Sequence, residues 1–133
     1  MSIHLIVHAA GEGSRMESDR PTVLHEIAGA PMIAHALGVA GSIEAGARVV
    51  VVGHGGQEVR EAVVKLDEDI RVVEQADQLG TAHAVTMAAS VLDGATGDAV
   101  VLYGDTPFIR PETLTAMSDT RKDGADIVVL GFK

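Results

Sequence analysis

Five short aliphatic runs constrain this chain more than anything else in it. They fall at residues 3–8, 48–52, 70–73, 99–103 and 126–130. Each has the length of a strand, and the interior ones are nearly unbroken Val, Ile and Leu. A strand with one wet face alternates apolar and polar residues. An unbroken run suits a strand covered on both faces, as in a parallel sheet. Helical spacing fills the gaps between runs. Val59, Ala62, Val63 and Leu66 fall at i, i+3, i+4 and i+7, and Ala84, Met87, Ala88 and Val91 repeat the pattern. Pro31 and Pro111 each stand where a helix can begin, because the first helical position needs no N–H. The alternation predicts an α/β fold, a Rossmann-like three-layer α/β/α arrangement around a mostly parallel sheet with right-handed crossovers. A single unit of 133 residues can bury such a core without staples. The core must be aliphatic, since Tyr103, Phe108 and Phe132 are the only aromatic residues. Met87 and Met117 read as core positions.

Charge and composition then remove several functions. The chain carries 10 basic and 19 acidic side chains, a formal net charge of -9. It has no Lys/Arg cluster and almost no aromatic platform, which argues against nucleic acid as a partner. No apolar run reaches the roughly 18–20 residues of a membrane span, so no membrane partner is expected. The first residues lack a basic segment followed by an apolar one, and a cytoplasmic location is the expectation. Cysteine is absent, which excludes disulfides, thiolate metal sites and cysteine nucleophiles. His4, His8, His35 and His54 read as structural or surface residues.

The longest irregular segment, residues 11–29, directly follows the first strand. Ligands of open α/β sheets bind at the carboxyl ends of the strands, so this segment is the candidate binding loop. It opens Ala9-Ala10-Gly11-Glu12-Gly13-Ser14-Arg15-Met16. Gly11 and Gly13 allow close backbone approach, so that consecutive N–H groups can face a phosphate. Arg15 adds a fixed charge and a donor fork. Two commoner loops fail on spacing. Met16 stands where the dinucleotide fingerprint needs its third glycine, and the second strand ends in Gly53-His54-Gly55-Gly56 with no acidic residue for a ribose. The P-loop needs Gly-Lys-Ser/Thr where Met16-Glu17-Ser18 occurs.

The loop resembles the signature of the sugar-phosphate nucleotidyltransferases, and further segments continue the match in order. Pro21-Thr22-Val23-Leu24-His25 and Gly29-Ala30-Pro31-Met32 follow the loop. Gln75 with Gln78-Leu79-Gly80-Thr81-Ala82-His83-Ala84 is similar to the family's nucleobase segment, and Leu102-Tyr103-Gly104-Asp105-Thr106-Pro107 to its metal-binding strand end. Within the family the likeness is greatest to bacterial uridylyltransferases acting on N-acetylglucosamine 1-phosphate, and residues 1–133 correspond to the nucleotide-binding half of that domain. The resemblance implies UTP and a sugar 1-phosphate as substrates, Mg²⁺ as cofactor, and a UDP-sugar for cell-wall precursors as product. It implies Arg15 and Asp105 as catalytic residues, with Asp105 the metal ligand. It assigns nucleotide binding to Ala10, Gly11, Gly13, Gln75, Gly80 and Thr81, and the sugar-phosphate side to Tyr103.

Each assignment has a plainer counterpart. Asp105 can cap a turn before Pro107, Gln75 can be an exposed strand-end amide, Thr81 can cap a helix, and Tyr103 can simply pack. The sequence also departs from the family pattern. Thr22 replaces a lysine that contacts the triphosphate, Glu12 replaces a residue that is often basic, and Ala82 stands where glycine is usual, so that its methyl is expected to crowd the nucleobase pocket. These departures support an alternative, a non-catalytic nucleotide-binding or dimerising module. The family's sheet order separates the last two runs by an intervening strand. With that strand missing, the run at 126–130 is expected either to move beside the run at 99–103 or to leave an edge through which the chain forms a homodimer.

Overall fold

The structure, a computed structural model, describes residues 2–11, 19–53, 56–131 and 133. Four strands form one all-parallel sheet: β1 (Ile3–Ala9), β4 (Arg48–Gly53), β5 (Arg71–Gln75) and β6 (Asp98–Tyr103), in the order β5-β4-β1-β6. Four helices alternate with them: α1 (Met32–Ala40), α2 (Gln57–Leu66), α3 (Thr81–Ala89) and α4 (Pro111–Lys122). The order reverses direction at β1, which has β4 on one side and β6 on the other. Such a reversal opens a crevice at the carboxyl ends of the strands.

The pleat divides the aliphatic runs between two cores. Leu5, Val7 and Ala9 share one face with Val50, Val52 and Leu102, and there they meet Ile33 of α1, Val59 and Val63 of α2 and Leu114 of α4. Ile6, Val49 and Val51 face the other way and meet Ala84 and Ala88 of α3. Three helices therefore cover one face and one helix covers the other, which makes the three layers. The small alanines of α3 let that helix lie close to the sheet.

The irregular segment after β1 has more order in its described part than expected. Residues 22–24 form a single 3-10 turn, and β2 (Glu26–Ile27) pairs antiparallel with β3 (Ala30–Pro31). Between them Ala28 and Gly29 both have positive φ, 53° and 81°. That is the two-residue hairpin turn whose twist matches the strands it joins. Pro31 then precedes α1, and Pro111 opens α4.

Three expectations are corrected. Residues 127–130 form no strand and do not pair with β6; Ile127 and Val129 are 82% and 83% exposed. Gly124, at φ +116°, turns the chain after α4, and Arg121 holds the Ala125 carbonyl at 2.9 Å. The outer edge of β6 is left bare among the described residues. Met87 and Met117 are half-buried and lie outside both buried cores. Leu66, the last residue of α2, is also half-exposed.

Candidate functional site

An open cleft of about 160 Å³ lies at the carboxyl ends of β1 and β5, lined by His8, Ala10, Gly11, Gln75, Gln78, Gly80 and Thr81. Its floor depends on a glycine. A Cβ on Gly53, at the end of β4, would stand 2.8 Å from the Ala10 carbonyl oxygen and 3.3 Å from Gln78 Nε2. Only a bare α-carbon leaves room for the 2.7 Å hydrogen bond that Gln78 Nε2 donates to Ala10 O. That bond ties the loop after β1 to the loop after β5.

Gln75 is the one buried polar side chain among the described residues, 1% exposed. Its Nε2 lies 3.0 Å from Gly80 O and 2.9 Å from His83 Nδ1. A carbonyl oxygen can only accept, so the nitrogen of the amide must face it. Gly80 itself has φ +100° and ψ 179°, a conformation open to glycine and strained for other residues. It is the residue before α3, and its carbonyl also accepts the Ala84 N–H at 3.2 Å. Thr81 is the first residue of the helix, and no side chain caps the N-terminus. The expected capping role for Thr81 is therefore not found. Thr81 lines the cleft at the first helical turn, whose free amides favour an anion.

On the other side of the cleft, His8 sits opposite Tyr103 in the β1–β6 register, with ring centroids 5.8 Å apart and planes at 64°. This is an edge-to-face contact. Burial pushes the His8 imidazole below its ordinary value, and the nearby Asp105 carboxylate opposes that shift. Asp105 lies in the turn two residues past β6 and is exposed, so its carboxylate has no desolvation cost to recover by binding a cation. Gly104, between them, donates its N–H to His8 O at 2.9 Å, and a Cβ there would stand 2.8 Å from Val23 Cγ1.

The structure therefore brings Ala10, Gly11, Gln75, Gly80 and Thr81 together around one cleft, with Tyr103 and Asp105 at the end of the neighbouring strand. Arg15, Gly13 and Glu12 lie outside the described residues. Ala82 is exposed and does not line the cleft, so the expected crowding by its methyl does not occur. Gln75 is buried and not the exposed amide of the plainer reading. His8 and Gln78 were missed as cleft residues. Gln78 had a signal, its place inside the Gln78–Ala84 motif; His8 had only its position near the end of the first strand.

Among the described residues, no group of three or more His, Asp or Glu could cage a metal. A lone exposed carboxylate is what a phosphate-bridged divalent cation requires of a protein, because substrate oxygens and water complete its shell. Asp105 fits that use. Among the described residues no helix is long and apolar enough to cross a membrane.

Comparison with known proteins bears on the same residues. A MobA-like NTP transferase domain matches residues 5–133. The chain belongs to this nucleotidyltransferase family. It is 58% identical over 132 residues to the bifunctional protein GlmU of Cereibacter sphaeroides, and 53% identical over 133 residues to GlmU of Dinoroseobacter shibae. These alignments cover 99% and 100% of this chain but 29% and 30% of the relatives, so the chain spans under a third of their length. In fold it is similar to Rv0371c of Mycobacterium tuberculosis, with a TM-score of 0.74 at 26% identity over 92% of this chain and 62% of that one. A nucleotidyl transferase from Methanothermobacter gives a TM-score of 0.69 at 27% identity, covering 89% of this chain and 57% of that one. The three-layer α/β/α arrangement expected from the aliphatic runs is observed, and these structural neighbours are nucleotidyltransferases of the nucleotide-diphospho-sugar transferase fold.

Proposed function

We propose that the cleft binds UTP and that the chain's chemistry is uridylyl transfer to N-acetylglucosamine 1-phosphate. The observation that carries this reading is the Gln75 amide, buried at the cleft with its Nε2 within hydrogen-bond distance of both Gly80 O and His83 Nδ1. Its oxygen alone is left to meet a base, as an acceptor for an N–H such as N3–H of uracil. Backbone groups of Ala10, Gly11 and Gly80 line the same cleft and supply the remaining edge contacts. The relatedness to GlmU proteins and the four-motif resemblance to uridylyltransferases support the same base.

The reaction is an in-line displacement. A phosphate oxygen of the sugar 1-phosphate forms a bond to the α-phosphorus of UTP. The bond from that phosphorus to the bridging oxygen breaks, and pyrophosphate leaves with the electron pair. Rate then comes from positioning and from neutralising charge. Gly11 and the first turn of α3 offer N–H groups to phosphate oxygens, with Thr81 beside them, and the resemblance gives Gly13 the same task. Arg15 binds the departing phosphates. Asp105 holds a divalent cation, Mg²⁺, which when bound neutralises charge on the phosphates. Tyr103 lines the sugar-phosphate side.

A second reading, a nucleotide-binding module without turnover, is favoured by Thr22 in place of the family's lysine. One electrostatic donor of that kind is worth about 10²–10³ in rate. Release of pyrophosphate from UTP, N-acetylglucosamine 1-phosphate and Mg²⁺ separates the readings: turnover rejects the module, and its absence together with tight UTP binding rejects the enzyme. Thr22→Lys is expected to raise affinity for UTP. Failure of UTP to bind at all removes both. The bare edge of β6 belongs to the same proposal: a second copy of the chain pairs there, and sedimentation is expected to show a dimer that Val101→Lys, on the exposed strand, dissociates. A monomer at all concentrations overturns that part.

A further inference from the structure

We propose that His83 is a positioning residue that fixes the hydrogen-bonding sense of the Gln75 amide and through it the choice of base. The inference rests on the uridine reading above. The Gln75 carboxamide has two hydrogens and one oxygen with which to act. Gly80 O, 3.0 Å from Nε2, takes one hydrogen. His83 Nδ1, 2.9 Å from the same nitrogen, can take the other only through a lone pair. In that contact Nδ1 is the acceptor, which calls for the tautomer with its proton on Nε2. With both hydrogens committed, the amide offers the cleft an acceptor and no donor.

Gly80 alone does not achieve this. It orients the nitrogen but leaves the second hydrogen unassigned. A buried N–H without a partner carries a penalty, and it turns to whatever acceptor a ligand brings. Cytosine brings one, since its N3 is a lone pair where uracil has N–H. His83 removes that option. It sits on the first turn of α3, three residues after Gly80, so the helix that presents free amides to phosphate also sets the base reader. One short segment, 80–83, thus couples recognition of the two ends of the nucleotide.

The test compares wild type, His83→Leu and His83→Asn, whose side-chain oxygen can stand where Nδ1 stands. Calorimetric titration with UTP and with CTP, each with Mg²⁺, reads the ratio of the two affinities. Expected is a loss of UTP preference of about five- to tenfold in His83→Leu, the weight of one hydrogen bond, with His83→Asn restoring most of it. A merely structural role lowers the melting temperature of both variants and leaves the ratio unchanged, and that result overturns the proposal. A second measurement needs no nucleotide. In the ¹⁵N spectrum of wild type, both Gln75 side-chain hydrogens are expected to be protected from exchange, with the His83 proton on Nε2. His83→Leu should release one of the two. A protonated Nδ1, or an amide unaffected by His83→Leu, refutes the positioning role even if UTP binds. Wild type that binds neither nucleotide refutes the uridine reading while leaving the spectrum to decide the role of His83.

Discussion

Gly53→Ala is the sharpest perturbation of this cleft, because it adds one methyl and changes nothing else. The added carbon falls 2.8 Å from Ala10 O, a distance Cβ atoms essentially never adopt, and 3.3 Å from Gln78 Nε2. Neither neighbour is free to yield cheaply: Ala10 is backbone at the end of the central strand, and Gln78 Nε2 is bonded to that same oxygen at 2.7 Å. Overpacking of this kind costs about 1–3 kcal/mol. Losing the Gln78 bond adds about 0.5–1.5 kcal/mol. Against these stands the reduced freedom of the unfolded chain, about 0.4–1 kcal/mol in favour of alanine. The net expectation is a loss of roughly 2–3 kcal/mol, and a fall in Tm of about 8–12 °C at roughly 4 °C per kcal/mol for a chain of this size. Thermal unfolding followed by circular dichroism measures it. Affinity for UTP should fall as well, since the displaced Ala10 and Gln78 both line the cleft. A variant with wild-type Tm and wild-type nucleotide affinity would refute the close-packed floor.

Gly38→Ala is the contrasting case. Gly38 lies inside α1 with nothing within 4 Å of a built Cβ, so alanine is expected to stabilise by about 0.5–1 kcal/mol in a denaturant titration. The His8 shift makes a pH prediction. A folded-state pKa below the ordinary 6.5 means the unfolded chain binds more protons in between. The contribution is complete above about pH 6.5 and is lost as pH falls through the folded value. Denaturation midpoints in the absence of divalent cation should therefore drop on acidification, and His8→Leu should flatten that slope. Asp105→Asn, at an exposed position, is expected to leave folding stability within about 0.5 kcal/mol of wild type while abolishing the Mg²⁺ dependence of UTP binding; cation-dependent binding that survives the change counts against the assigned ligand.

Much of the architecture was legible because burial writes itself into apolar runs. The four parallel strands lie on the runs at 3–8, 48–52, 70–73 and 99–103, although hydrophobicity alone does not set their β5-β4-β1-β6 order. The run at 126–130 looks the same on paper and forms no strand, since hydrophobicity specifies a wish to be covered and not the cover. The cleft was legible as motifs and not as geometry. Nothing in the spacing of Gln75 announces that it is buried or that its amide is oriented by His83. Thr81 looked like a cap because threonine before an apolar pattern usually is one, but Gly80 with its positive φ holds the N-cap position and Thr81 is already the first helical residue. His8 was read as structural because a histidine in an aliphatic strand carries no label for the end of the sheet it occupies.

The edge contact between His8 and Tyr103 has a spectroscopic meaning. The chain contains no tryptophan and a single tyrosine. Its intrinsic ultraviolet emission therefore originates almost wholly from one ring, and that ring stands against the His8 side of the cleft. In most proteins such light averages over the whole molecule. Here it is a local signal, and the protein carries an unlabelled reporter of occupancy at the place where occupancy matters.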